Sequence, residues 1–159
     1  MASKGIKKLT RELKNLQEKP IQGIIAKPIN DNDITKWKGR VEGAKGTPFE
    51  GGYFHFKINI PENYPFEPPE VKMITKVYHP NINPQSGNIC VNILKKGVWV
   101  PTNNIQSVLL SLQGLLTKPN PDSPLEGETN RVYLEDIDKY NETVREWVKL
   151  YAQNPEYNE

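Results

Sequence analysis

The chain has 159 residues, of which 36% are hydrophobic and 25% charged. This composition is ordinary for a soluble protein, and the length predicts one domain that covers residues 1–159. A short polar tail is expected from about residue 153. A net charge of +2 is too small to indicate nucleic-acid binding, and no apolar run reaches membrane-spanning length. The first residues lack the apolar region of a secretory signal, and the single cysteine fits a reducing compartment. We therefore expect a protein of the cytoplasm or nucleus that binds neither nucleic acid nor membrane.

The pattern over residues 3–18 predicts an amphipathic helix. Its apolar residues recur at helical spacing: Ile6, Leu9, Leu13 and Leu16. The opposite side is basic and includes Lys7, Lys8 and Arg11. Such a side is either a solvated face or a docking face for an acidic partner.

Four strands are predicted next, with turn residues between them: 21–27, 35–42, 52–60 and 70–75. In the third strand, Phe54, Phe56 and Ile58 alternate with polar residues, which is typical of a half-buried antiparallel strand. His55 falls on the polar side, so we expect a surface histidine. The short connections favour a meander over parallel crossovers.

A proline-rich loop separates the third and fourth strands. Residues 61–70 contain four prolines, which exclude a helix or a central strand there. The rigid loop would hold the rings of Tyr64 and Phe66 in fixed places, and the simplest role for both rings is to cover the sheet edge.

The last third of the chain predicts three helices. Asn103 or Asn104 is a good N-cap for the first helix, and Pro119 ends it. Leu110 lies off the apolar stripe of this helix and should point outward. Two more helices follow over about 128–136 and 138–153, the second with these side chains inward: Tyr140, Val144, Trp147, Val148 and Tyr151.

The predicted fold class is therefore α+β. An N-terminal helix precedes a four-stranded antiparallel meander sheet, an active-site loop and three C-terminal helices.

The only cysteine, Cys90, follows His79 by eleven residues, in the run HPNINPQSGNICVNIL. A lone thiol forms no internal disulfide, so it is either an inert core thiol or a nucleophile. The preceding residues are typical of turns, which places the sulfur at the end of a loop, where functional residues are more frequent than in cores.

These landmarks together resemble the core of the ubiquitin-conjugating enzyme family over nearly the whole chain. The motifs that carry the resemblance are YPFEPPEV at 64–71, HPNI at 79–82, GNIC at 87–90, SVLLSLQGLL at 107–116 and PNPDSPL at 119–125. The resemblance implies that Cys90 accepts a ubiquitin C-terminus from an activating enzyme as a thioester. The acyl group then passes to a substrate lysine, usually with a RING- or HECT-type ligase.

Around the cysteine, the resemblance implies roles for several other residues. Asn81 matches the motif asparagine, which either stabilises the oxyanion or holds its turn. His79 matches a structural position, with general-base chemistry the less favoured role. Asn92 and Ser123 stand where the family often has Asp, so they can hydrogen-bond an incoming amine but carry no charge. This departure predicts weak intrinsic reactivity with lysine, which phosphorylation of Ser123 would increase.

Further positions match contact surfaces of the family. Donor ubiquitin would be held by Leu110, Gly114 and Leu125. The ligase or activating enzyme would contact Lys7, Lys8, Arg11, Phe66 and Pro101. No cofactor is expected, because the activating enzyme consumes the ATP, and the protein is expected to be a monomer.

Three alternatives stay open. The chain could be a non-catalytic ubiquitin-binding scaffold, although such relatives typically lack the cysteine. It could conjugate SUMO or another ubiquitin-like modifier. A Cys-His protease would need His79 or His55 within hydrogen-bond reach of Cys90.

Overall fold

The computed structural model describes residues 1–156, so residues 157–159 of the predicted tail lie outside the described part. The elements follow the predicted order and are α1 Ser3–Glu18, β1 Ile24–Asn30, β2 Asp33–Glu42, β3 Tyr53–Asn59, β4 Glu70–Met73, a 3₁₀ turn Asn92–Leu94, α2 Ile105–Thr117, α3 Gly127–Glu135 and α4 Ile137–Tyr151. The predicted α+β class is confirmed.

The four strands form one antiparallel sheet in the order β1-β2-β3-β4, which confirms the meander. Side chains of β3 alternate between the two faces of the sheet. Phe54, Phe56 and Ile58 point to the inner face and are at most 1% exposed. The inner face of the sheet is therefore one wall of the core.

The prediction of a surface position for His55 is wrong. His55 is 6% exposed, and its Nε2 lies 2.8 Å from the carbonyl oxygen of Asn154. The chain after α4 crosses the outer face of the sheet and covers this ring. The alternation within one strand shows which face a side chain is on, but not what a distant segment covers.

The helices close the core over the inner face. Leu9 of α1, Leu109 and Leu112 of α2, and Tyr140 and Val144 of α4 are each at most 2% exposed. Ile6 is 42% exposed, so the apolar stripe of α1 is shorter than predicted. The inner faces of three helices and the sheet thus share one apolar cluster.

The prediction that Tyr151 points inward is also wrong, since its side chain is 45% exposed. It is the last residue of α4, and the following Ala152 is 1% exposed and takes the inner position. Lys76 lies over the Tyr151 ring at 5.4 Å. The helix end extends past the core here, which helical periodicity cannot indicate.

Helix α2 begins at the predicted cap. The Asn104 side chain accepts a hydrogen bond from Ser107 N at 2.8 Å, which satisfies one free amide of the first turn. Leu110 points away from the core and is 47% exposed, as predicted. Within residues 1–156, no helix combines the length and the apolar character needed to span a bilayer.

Candidate active site

The segment before the cysteine is a tight hairpin fixed to the edge of the sheet. Met73 N at the end of β4 donates to Gly87 O at 2.8 Å. Gly87 has a φ of +76°, and a Cβ there would lie 2.2 Å from Met73 O. Only glycine combines this backbone conformation with so close an approach.

The hairpin returns the chain so that Cys90 lies beside Asn81. Cys90 N donates to Asn81 O at 2.8 Å, and Asn83 N donates to Asn88 O at 2.9 Å. The Asn83 side chain also accepts from two backbone amides of the loop, at 2.9 and 2.8 Å. Cys90 itself is partly exposed and forms no disulfide, so its backbone is held in place without the residue being buried.

Asn81 is the buried centre of the site and is 0% exposed. Its Nδ2 donates to Asn120 O at 2.8 Å and to Ser123 O at 2.9 Å. Its Oδ1 accepts from Asn120 N at 2.9 Å. Both amide hydrogens are thus engaged by the backbone of the 119–125 loop, so the observed side chain holds that loop against the cysteine loop.

The buried ring of His79 binds the backbone of Asn81. The ring is 1% exposed; its Nδ1 accepts from Asn81 N at 3.0 Å, and its Nε2 donates to Leu115 O at 2.7 Å. Complete burial lowers the pKa of His79 from 6.5 to about 4, although the hydrogen bond to Leu115 acts in the opposite direction. A neutral ring with both nitrogens engaged is suited to holding Asn81 in position. We call His79 and Asn81 together the asparagine node.

The site has two walls, the segment 91–95 that follows Cys90 and the 119–125 loop, and we call the space between them the cleft. Pro80 O accepts from Leu125 N at 2.8 Å and from Glu126 N at 2.9 Å, which adds to the bonds made by Asn81. Ser123 is partly exposed, and its hydroxyl accepts a hydrogen bond from Lys95 Nζ at 3.0 Å. Lys95 follows the cysteine, so this contact bridges the two walls.

Asn92 begins the 3₁₀ turn directly after the cysteine segment and is exposed. It lies two residues after Cys90 in sequence and three before Lys95. Its exposed side chain is therefore open to contact by a second molecule.

The predicted donor-ubiquitin contacts are all on the surface. Leu110 and Gly114 lie one helical turn apart on α2 and are both exposed. Leu125 is 42% exposed at the end of the 119–125 loop. One exposed leucine on α2 and one at the end of the 119–125 loop are thus available to a second protein.

The predicted ligase or activating-enzyme contacts lie on three segments near the N-terminus of α2. Phe66 is 75% exposed on the proline-rich loop, Pro101 is exposed, and Lys7, Lys8 and Arg11 are at least partly exposed on α1. Phe66 is the most exposed large apolar side chain among the described residues, a typical anchor at an interface.

A buried carboxylate connects these three segments. Glu12 of α1 accepts from Tyr64 Oη at 2.8 Å and from Ile105 N, the first residue of α2, at 2.7 Å. Burial raises the pKa of Glu12, against the opposing effects of these hydrogen bonds and of the Lys8 charge. Burial and the adjacent carboxylate together raise the pKa of Tyr64. We call Glu12, Tyr64 and the Ile105 amide the glutamate node.

Sequence reasoning missed Glu12 and Lys95. Glu12 lies three residues after Leu9 and four before Leu16, so its place on the inner side of α1 could have been read from helical spacing. No sequence signal connects Lys95 to Ser123, which is 28 residues away. Among residues 1–156, no cluster of His, Cys, Asp and Glu side chains has the arrangement of a metal site.

The family model of ubiquitin-conjugating enzymes matches residues 8–148. The chain is 42% identical to ubiquitin-conjugating enzyme E2 1 of Schizosaccharomyces pombe, over 98% of this chain and 70% of the relative. It is 41% identical to ubiquitin conjugating enzyme E2 B of Dictyostelium discoideum, over 92% of this chain and 97% of the relative.

Solved structures show the same likeness. A crystal structure of a ubiquitin conjugating enzyme from Plasmodium yoelii superposes with a TM-score of 0.87 at 40% identity, covering 98% of this chain and 99% of that one. The conjugating domain of a Toxoplasma gondii ubiquitin conjugating enzyme superposes with a TM-score of 0.83 at 37% identity, covering 92% and 98%. This chain therefore belongs to the ubiquitin-conjugating enzyme family.

Proposed function

We propose that this protein accepts ubiquitin as a thioester on Cys90 and transfers it to a substrate lysine with the help of a ligase. The observation that carries the proposal is the partly exposed Cys90, whose backbone amide donates to Asn81, the residue that also binds the 119–125 loop, in a chain of this family. The partners are ubiquitin, an activating enzyme, a RING- or HECT-type ligase and the protein substrates.

The first half-reaction is thiol exchange. The Cys90 thiolate attacks the thioester carbonyl of ubiquitin bound to the activating enzyme, and the cysteine thiolate of that enzyme leaves. The acyl group arrives already activated, so the step needs no ATP and no strong base beside Cys90. The absence of a free imidazole nitrogen on His79, the nearest histidine in sequence, is compatible with this chemistry.

The second half-reaction is aminolysis. The substrate amine must lose a proton to attack the Cys90 thioester, and Cys90 then leaves as a thiolate. Ser123 and Asn92 offer hydrogen bonds to the amine from opposite walls of the cleft. Neither side chain is a carboxylate, so deprotonation depends on desolvation and on the bound ligase. Asn81 acts on this step through the 119–125 loop, because its donors already bind that loop.

Exposed surfaces support the two protein contacts. Leu110, Gly114 and Leu125 would hold the donor ubiquitin folded against α2 and so orient its carbonyl, which reduces the entropy lost on reaction. The ligase would bind across Phe66, Pro101 and the basic side of α1. The hydrogen bonds of the glutamate node hold α1, the proline-rich loop and the start of α2 together.

A non-reducing gel tests the proposal. The protein is mixed with activating enzyme, ATP and ubiquitin, and we expect a ubiquitin-sized shift that disappears on adding thiol and is absent in Cys90→Ala. A shift with SUMO and its activating enzyme, but none with ubiquitin, would keep the chemistry and change the modifier. No shift with either would overturn the proposal and support a ubiquitin-binding scaffold.

A further inference from the structure

A second asparagine binds the 119–125 loop, from the side of α3. Asn130 lies near the start of α3 and is 9% exposed. Its Nδ2 donates to Pro121 O at 3.3 Å. Pro121 lies between Asn120 and Ser123, the two loop residues whose carbonyl oxygens bind Asn81. Asn130 takes part in no step of the proposed reaction, so its contact with the loop needs an explanation of its own.

The composition of the loop explains why asparagine donors hold it. The 119–125 loop contains three prolines, which have no N–H to donate. Its carbonyl oxygens are therefore the main groups that other segments can bind. Asn81 binds two of them from the cysteine side, and Asn130 binds a third from α3. The backbone around Ser123 is thus fixed from two directions.

Folding of α3 alone does not account for Asn130. Among the described residues, its Oδ1 is buried and has no hydrogen-bond partner, and burial of an unpaired polar atom destabilises a protein. Asparagine inside a helix is also less favourable than alanine. The helical hydrogen bond from Asn130 N to Glu126 O at 3.0 Å uses the backbone, so alanine would keep it. The side chain therefore costs α3 stability, and the bond it makes goes to the loop.

We propose that Asn130 is a positioning residue for the transfer of ubiquitin to lysine. By holding Pro121, it sets the path of the backbone two residues before Ser123, and with it the direction in which the Ser123 hydroxyl meets the substrate amine. Asn130 acts through the loop and not on the reacting atoms. The inference rests on the proposed function, because the step it serves is aminolysis of the Cys90 thioester.

Asn130→Ala is the main test, because its effects on rate and on stability should differ. Loading of Cys90 should be unchanged, while single-turnover discharge to free lysine should slow by about fivefold, since one bond that orients the loop is lost. The loss should be in kcat, with KM for lysine unchanged. The Tm should be no more than about 3 °C below that of the parent, and can exceed it, because the unpaired Oδ1 is removed as well.

Two further variants control for effects on the helix. Thr129→Ala changes the neighbouring position of α3 and improves its helix propensity, but leaves the bond to Pro121 in place; it should discharge within about twofold of the parent. Asn130→Ser has a shorter side chain that does not extend to Pro121 O, so it should discharge as slowly as Asn130→Ala. It replaces the alanine variant if that variant does not fold.

A double variant tests whether the two asparagines act on the same loop. Once Asn81→Ala has released the loop, the remaining bond from Asn130 no longer orients Ser123. Asn81→Ala/Asn130→Ala should therefore discharge less than about twofold more slowly than Asn81→Ala alone. A full fivefold further loss would show that Asn130 acts independently of the loop and would contradict the proposal.

Hydrogen exchange measures the loop without any chemistry. The amides of Asn120 and Leu125 bind the Asn81 side chain and Pro80 O, so their exchange reports how firmly the loop is held. Both amides should exchange about fivefold faster in Asn130→Ala than in the parent or in Thr129→Ala.

Two results would overturn the proposal. The first is discharge and exchange at the parent's rates in Asn130→Ala. The second is a fall in Tm of more than about 4 °C with loading and discharge slowed alike, which would mark a purely structural residue. A parent protein that forms no thioester would refute the proposed function itself. In that case faster exchange in Asn130→Ala would still support the loop contact, and unchanged exchange would overturn it.

Discussion

The asparagine node and the glutamate node solve the same structural problem with different chemistry. Each uses one buried side chain to connect segments that are far apart in sequence. Asn81 is neutral and connects the cysteine loop to the 119–125 loop. Glu12 is ionisable and connects α1 to the proline-rich loop and to α2.

The difference lies in how each node responds to protons. An amide with all its hydrogen-bonding groups engaged is buried at little cost, and its bonds do not change with pH. A buried carboxylate loses solvation, which raises the pKa of Glu12 despite its hydrogen bonds. The reactive cleft thus depends on an amide that does not titrate and on a histidine that stays neutral down to about pH 4, while the predicted ligase-binding surface depends on a carboxyl group whose pKa is raised.

The largest expected effect comes from breaking the asparagine node. Asn81→Ala removes the bonds to Asn120 and Ser123, and we expect discharge of the Cys90 thioester to free lysine to slow by about a hundredfold. Loading of Cys90 should persist, because thioester exchange requires no amine deprotonation. The measurement is single-turnover discharge of the preformed thioester.

A matched control and a second readout identify how Asn81 acts. Asn83→Ala removes the bonds within the cysteine loop alone and should slow discharge far less. Hydrogen exchange of the 119–125 amides should speed up in Asn81→Ala. Slow discharge with unchanged exchange would contradict the positioning role and favour direct donation to the oxyanion.

The second prediction concerns acid stability through His79. The pKa of His79 is about 4 when folded and 6.5 when free, so between these values the unfolded chain binds a proton that the folded protein does not. Stability therefore falls as the pH is lowered through this window, by about 3 kcal/mol from this group. Denaturant unfolding at several pH values from 4 to 7 should show a shallower acid loss for His79→Gln; parallel profiles would contradict the assignment.

The third prediction concerns the glutamate node. Glu12→Ala leaves Tyr64 Oη and Ile105 N without their acceptor, and we expect a loss of about 2 kcal/mol in the free energy of unfolding. Glu12→Gln keeps an acceptor oxygen and should lose less. Urea unfolding at neutral pH measures both variants.

The pH dependence of Glu12 should have the opposite sign to that of His79. Because the folded pKa of Glu12 is raised, the folded protein binds this proton more tightly, and the contribution of Glu12 is greatest at pH below 4.5 and decreases as pH rises through the folded value. The stability difference between the parent and Glu12→Gln should therefore be larger at pH 4 than at pH 7. A difference independent of pH would show that burial does not raise the pKa.

The smallest expected effect is at Ser123. Ser123→Asp adds a carboxylate beside the thioester, and we expect discharge to free lysine to increase by about fivefold. Lys95 Nζ, at 3.0 Å from the serine hydroxyl, would partly neutralise that carboxylate. Ser123→Asp/Lys95→Ala should therefore be faster than Ser123→Asp, whereas Ser123→Asp/Lys96→Ala should not. No acceleration in any of these variants would refute a charge requirement at this position.

Much of the fold could be predicted because the signals are local. Alternation in β3, helical spacing in α1 and α2, and the Asn104 cap each reflect residues close in sequence. Tyr151 and His55 could not be predicted correctly, because their exposure depends on where α4 ends and where the following chain lies.

The candidate site likewise has some features that the sequence predicts and others that depend on distant segments. The sequence by itself determined the family, the order of elements and the placement of Cys90 on a loop, since motifs and spacing carry that information. Only the tertiary structure decided that Asn81 binds the 119–125 loop, that Lys95 reaches Ser123 and that Glu12 meets Tyr64. Strand register and long-range hydrogen bonds depend on how distant segments pack, which local sequence patterns do not encode.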